Sequence, residues 1–261
     1  MNLIEYRRNF LTLHGASEKY ARGVIRAGLN KQRDGFIQAI RKHGVQSLTV
    51  AARAIILDNP LRPYYNRLYS RIGVEYARLT YKDVQDQLNL EVKAGITFYS
   101  AQWRRQMIEF MLSEGGVRIS EVDGNTLNKI QLLLASAQEQ GLTQDETSRY
   151  MILALKNDIN PSNPFNKVRV QRIARTETTT AANRGLLIAS DSLTITTLKK
   201  WVYTKDNRTR PDHVRVGTRE PIPLDQPYLV GGEEMQQPGD INASAKQCVN
   251  CRCFQRLVPV Q

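Results

Sequence analysis

With 261 residues, 41% of them hydrophobic and 24% charged, the chain has the material for one large folded domain or two of ordinary size. No run of about 18 apolar residues is present, and the opening Met-Asn-Leu-Ile-Glu-Tyr-Arg-Arg-Asn-Phe lacks a signal-peptide core. These features exclude a helical membrane span and predict a protein kept inside the cell or packed into something assembled there. The formal charge of +12 calls for an acidic partner, either nucleic acid or an acidic protein surface.

Residues 1–44 place Leu3, Phe10, Leu13, Tyr20, Val24 and Ile25 at helical spacings, with basic residues between them. Gly15, Gly23 and Gly28 are expected to divide this stretch into shorter helices, the last running through Phe36, Ile37 and Ile40 to Gly44. Arg22, Arg26, Lys31, Arg33, Arg41 and Lys42 are the candidate phosphate contacts, although the same charges would equally solvate a helix face. Residues 47–57 predict a short helix, stopped by Asn59-Pro60. Residues 61–81 interleave Tyr64, Tyr65, Tyr69, Tyr76 and Tyr81 with arginines. That mixture suits base stacking, a half-buried helix face or a protein interface, and the interface is the preferred reading.

Helical patterning resumes over residues 84–112, with Gly95 as a break and Trp103-Arg104-Arg105 inside it. A loop at 113–116 precedes an amphipathic helix over 125–140 that stops at Gly141. Thr143 and Glu146 form a capping box for the helix that follows. Residues 157–164, with two prolines and three asparagines, read as a linker, so the expected domains are 1–160 and 161–261.

Beyond the linker, residues 168–190 predict one helix with Ile173, Ala181 and Leu187 inward, its helicity weakened by the threonines at 178–180. Arg175 and Glu177 are too close on a helix to pair, so each needs a partner elsewhere. Residues 195–203 read as a strand anchored by Trp201, and short extended pieces follow at 220–224, 228–232 and 238–240. The expected fold class is therefore α+β: a mainly helical N-terminal region, then a small C-terminal domain of one long helix and short strands.

All three cysteines, Cys248, Cys251 and Cys253, fall within six residues, and His213 lies earlier in the same segment. Three thiols and an imidazole supply four soft ligands for one tetrahedral cation such as zinc, with Cys251 and Cys253 two apart on an extended segment. The alternative is three unrelated thiols and a solvated histidine.

Three blocks in this region carry a family resemblance. Arg172-Ile173-Ala174-Arg175-Thr176-Glu177 with Asn183-Arg184-Gly185 resembles the opening helix of the phage Mu F-like minor head proteins, the head morphogenesis proteins of tailed bacteriophages. Trp201, Asp206, Arg208, Arg210 and His213 match its Trp-x-x-x-x-Asp-x-Arg-x-Arg-x-x-His segment, and Asn250-Cys251-Arg252-Cys253 its closing Asn-Cys-Arg-Cys. Many members carry Cys-x-x-Cys where this chain has Arg210 to His213, and a histidine where it has Cys248. The exchange leaves His213, Cys248, Cys251 and Cys253 as the metal set the resemblance implies. In a branch that had lost the metal, His213 would hydrogen-bond within the core.

The resemblance implies a non-enzymatic minor capsid protein inside the virion, present in the host cytoplasm during assembly. Its partners would be the portal or major capsid protein and, through non-specific contacts, phage DNA. Its roles would lie in head assembly, DNA packaging or genome ejection. Two other classes compete with it. A zinc-stapled nuclease would need an activating histidine, leaving His14 and His43 if His213 is a ligand; Glu177, Asp206 and Asp212 form no magnesium motif. A DNA-binding protein outside any virion shares the charge argument but leaves the three blocks unexplained.

Overall fold

The computed structural model describes residues 1–90 and 95–260. Helices α1 (Leu3–His43), α2 (Leu48–Leu57), α3 (Arg62–Gln87), α4 (Gly95–Ser113), α5 (Gly116–Glu139), α6 (Gln144–Lys156) and α7 (Lys167–Ser190) come first. Then follow β1 (Thr197–Val202), α8 (Pro211–Gly217), β2 (Ile222–Pro223), β3 (Tyr228–Val230), β4 (Glu233–Met235), α9 (Ala245–Cys248) and β5 (Phe254–Pro259). The expected α+β class holds, with every strand among the described residues lying C-terminal to the long helices. No helix among them is long and apolar enough to cross a membrane.

Contacts divide the chain into two compact units, each assembled from separated stretches. One comprises residues 1–21, 66–114 and 173–261, the other residues 22–65 and 115–172. The second unit is helical and closes over Phe36, Ile40, Leu48, Ile130, Leu133 and Met151. The Thr143/Glu146 capping box starts α6 as expected, with the Thr143 N–H donating to Glu146 Oε2 at 2.9 Å. Residues 157–164 lie inside this unit as a bonded turn. Asn163 Nδ2 donates to the carbonyls of Leu155 and Asn157, and its Oδ1 accepts from the Phe165 N–H at 2.8 Å.

Two expectations are corrected here. Gly15, Gly23 and Gly28 do not break the first helix, which runs unbroken for 41 residues. A helical glycine costs about 1 kcal/mol against alanine, and the buried face from Tyr6 and Phe10 through Val24, Ile25 and Leu29 to Ile40 outweighs that. The tyrosines of residues 61–81 are also not an exposed interface. Tyr65, Tyr69 and Tyr76 are buried, while Arg67, Arg71 and Arg78 point to solvent, so the mixture is an amphipathic helix with its rings inward. The helix expected over 84–112 with a break at Gly95 is divided, α3 ending at Gln87 and α4 beginning at Gly95, and residues 91–94 lie outside the described residues.

In the first unit, α7 is the spine. Thr176 to Asn183 are all buried, so the helix is enclosed on every side where the threonines lie. A Cβ at Gly185 would overlap the Gly73 carbonyl, so α3 and α7 meet there backbone to backbone and glycine is required. Around the spine pack an aromatic layer and a three-stranded antiparallel sheet of order β2-β1-β5. Phe10 stacks on Phe254 at 4.1 Å and meets Tyr76 at 4.7 Å. Register pairs Trp201 with Gln255 and Val202 with Phe254. Strands β3 and β4 form a separate hairpin whose two-residue turn, Gly231-Gly232, has both φ angles positive.

His14 sits in this core with its Nε2 3.2 Å from Thr179 Oγ1. The Thr179 hydroxyl spends its proton on the Cys251 carbonyl at 2.6 Å, so the imidazole is the donor in that contact. Burial holds His14 neutral and lowers its pKa to about 4, against the ordinary 6.5. Between those values the unfolded chain takes up a proton that the native state refuses. Stability is therefore greatest above pH 6.5 and drains as pH falls towards 4, by about 3 kcal/mol from this group alone. Thermal melts at pH 7 and 4.5 should show a smaller acid loss in His14→Gln than in the unchanged protein.

Candidate metal centre

Two elements converge on one buried point. Helix α8, opened by Pro211 at its first turn, presents His213 inward. The segment between α9 and β5 brings Cys251 and Cys253. The ligand atoms of His213, Cys251 and Cys253 lie within 4.8 Å of one another, and all three residues are buried. His213 Nδ1 stands 3.4 Å from Cys253 Sγ and 3.6 Å from Cys251 Sγ. Its Nε2 faces Gln247 Oε1 at 3.1 Å. A donating Nε2–H leaves the Nδ1 lone pair aimed at the sulfurs, the tautomer a metal-ligating imidazole needs. Gly231 (φ +60°) keeps Gln247 in place, because a Cβ there would overlap the Gln247 amide.

The surroundings are apolar: Trp201, Val216, Tyr228, Val230 and Met235 enclose the cysteines. The Trp201 ring stands edge-on to His213 at 5.3 Å and to Tyr228 at 5.2 Å. A hydrogen bond from the Cys251 thiol lowers the pKa of Cys253 against the cost of burial, helped by the Thr204 N–H and the Trp201 indole. The shared proton, together with burial, pushes Cys251 up. The Cys253 N–H also points at Cys251 Sγ, 3.4 Å away. Two sulfurs and one imidazole nitrogen, all on buried residues, fit a borderline-soft divalent cation of the zinc type.

Of the four residues expected to bind metal, the structure brings together His213, Cys251 and Cys253. Cys248 shares the apolar cluster, but its sulfur stands outside the group, because it closes α9 with Sγ on the Asp240 carbonyl at 2.9 Å. Cys251 and Cys253 lie on an irregular segment just before β5 rather than on a strand.

The other motif residues have structural partners. Arg175 pairs with Glu18 at 3.3 Å, and buried Glu177 accepts from Tyr69 Oη at 2.5 Å, so each has the distant partner its spacing demanded. Asp206 caps its own turn through the Arg208 N–H at 3.0 Å and pairs with Arg252 at 2.6 Å. Arg208 is 72% exposed, with Asp206 at 3.7 Å. Among the candidate phosphate contacts, Arg22, Lys31, Arg41 and Lys42 are exposed, whereas Arg26 pairs with Asp158 and Arg33 with Asp34.

Sequence reasoning missed what holds the cluster: the polar residues of α7. Thr176 Oγ1 accepts the Asn250 N–H at 3.1 Å, and Thr179 donates to the Cys251 carbonyl. Asn183 donates to the Cys253 carbonyl at 3.3 Å and accepts the Gln255 N–H at 2.9 Å. Thr180 donates to the Gly239 carbonyl at 2.7 Å. The available signal was the threonine run itself, polar residues in the middle of a helix with apolar neighbours on either side. Asn183→Ala should cost about 1–3 kcal/mol by stranding the Cys253 carbonyl and the Gln255 N–H. Urea unfolding would measure the loss, and the thiols at 251 and 253 should react faster with a thiol-specific dye.

No curated protein and no solved structure matches the chain. A family model does. Residues 128–256, which contain the whole His213/Cys251/Cys253 cluster and the α7 residues that hold it, match the family described as phage Mu protein F like protein, and that stretch is similar to this family.

Proposed function

We propose that the protein is a minor capsid protein of a tailed phage, acting in head morphogenesis without catalytic turnover. The observation that carries this reading is the family match over the stretch that builds the metal centre. The charge of +12 supports a place beside packaged DNA, with phosphate contacts through the exposed bases of α1, Arg22, Lys31, Arg41 and Lys42. In this reading the protein sits inside the head, associated with the portal or major capsid protein, and aids assembly, packaging or release of the genome. Mass spectrometry of purified virions and of empty procapsids tests it: the polypeptide should be present in procapsids at a few copies per particle. Its absence from particles at every stage of assembly would refute the assignment.

The cluster is proposed as a structural zinc centre. His213, Cys251 and Cys253 would hold the ion, and Cys248 could complete the set only by leaving the Asp240 carbonyl. A bound zinc would cross-link α8 to the segment before β5 and add folding free energy there. Elemental analysis of protein purified without chelator should give about one zinc per chain. Cys251→Ser should lose the metal and melt at a lower temperature, while Cys248→Ser should keep it. Metal-free protein whose melting is unchanged by Cys251→Ser would reject the centre.

A further inference from the structure

A shallow cleft open to solvent has His213, Cys251 and Cys253 at its floor, with Arg208, Thr209, Arg210, Asn250 and Arg252 completing its lining. Three guanidinium groups border it, and Asp206, on Arg252 at 2.6 Å and near Arg208 at 3.7 Å, supplies the nearest carboxylate. The rim therefore keeps an excess of two positive charges. Arg210 is held in place by one hydrogen bond, Nη2 to the Val249 carbonyl at 2.6 Å, which occupies one of its five N–H donors. The Arg208 side chain is 72% exposed at this mouth, with Asp206 no nearer than 3.7 Å, so its guanidinium is open to solvent. The ring in its lining, the His213 imidazole, is buried, so the cleft offers no exposed platform for stacking a base.

We propose that this cleft is a seat for a DNA backbone phosphate, with Arg208 as the reaching contact and Arg210 and Arg252 as the fixed rim. Planar guanidinium forks match the oxygens of a phosphodiester, and contacts of this kind are independent of sequence. The inference rests on the DNA-contact reading above and gives it a location that the bases of α1 do not include.

The test is fluorescence anisotropy of a mixed-sequence duplex against increasing sodium chloride. Arg208→Glu is compared with Arg105→Glu, which makes the same charge change at an exposed position on α4. A double variant of Arg41 and Lys42 to glutamate reports on α1. Arg208→Glu should weaken binding about 10-fold more than Arg105→Glu, and Arg208→Ala should lower the salt slope by about one. Both Arg208 variants should melt like the unchanged protein. Inorganic phosphate should displace the duplex better than chloride at equal ionic strength, and this advantage should vanish in Arg208→Ala. If Arg208→Glu binds no more weakly than Arg105→Glu while the α1 variant loses affinity, the seat is refuted and DNA contact through α1 stands. If the unchanged protein does not bind duplex at low salt, both readings fall.

Discussion

The interaction on which the rest depends is the pairing of α7 with the backbone of the loops around it. Four side chains on one buried helix, Thr176, Thr179, Thr180 and Asn183, bond to the main chain at Asn250, Cys251, Gly239, Cys253 and Gln255. The segments they hold have almost no regular structure of their own, since only short strands and a one-turn helix occur between 218 and 253. Irregular backbone inside a core needs partners for its N–H and C=O groups, and where no sheet supplies them a helix with buried hydroxyls and amides does. Each such bond adds only about 1 kcal/mol net, but leaving one unmade costs more. The helix thus serves as a template as much as a packing element.

That template explains how a cluster that could hold a metal ion forms from residues about 40 positions apart. His213 comes from a short helix fixed by Pro211, while the cysteines come from a segment whose carbonyls are pinned at Cys251 by Thr179 and at Cys253 by Asn183. The positions of the sulfurs follow from the positions of those carbonyls. Gln247 then orients the His213 imidazole from the other side of the site. Ligand direction is set from the second layer of residues outward, as expected where a soft cation is to be held by few ligands.

Much of this was legible from residue type and spacing. Rare thiols crowded near a histidine pointed to the cluster, the capping box at Thr143 and Glu146 declared itself, and the Arg175/Glu177 spacing required remote partners, which proved to be Glu18 and Tyr69. What failed had a common cause, because local propensity was read without its tertiary context. Three glycines looked like helix breaks until the buried face of α1 outweighed them. Tyrosines alternating with arginines looked like a docking surface, because periodicity alone does not say which side of an amphipathic helix is wet. Cys248, which the family resemblance implies as a fourth ligand, has its sulfur on the Asp240 carbonyl. The arginine-lined cleft was invisible because Arg252 lies more than 40 residues from Arg208 and Arg210.

The aromatic stack of Phe10 on Phe254 has a temporal side. Tyr6 Oη donates to the Gln255 carbonyl across 249 residues of chain, and Arg256 Nη2 reaches the Met1 carbonyl at 2.5 Å. On the ribosome, the beginning of the first helix is made long before its counterpart exists. Its apolar face must stay unsatisfied until residue 256 has emerged from the exit tunnel, so that half of the protein can close only after synthesis of this whole span. The wholly helical unit also waits, but only for residue 172. The nascent chain therefore has a built-in interval in which one unit is complete and the other is a sticky, open surface.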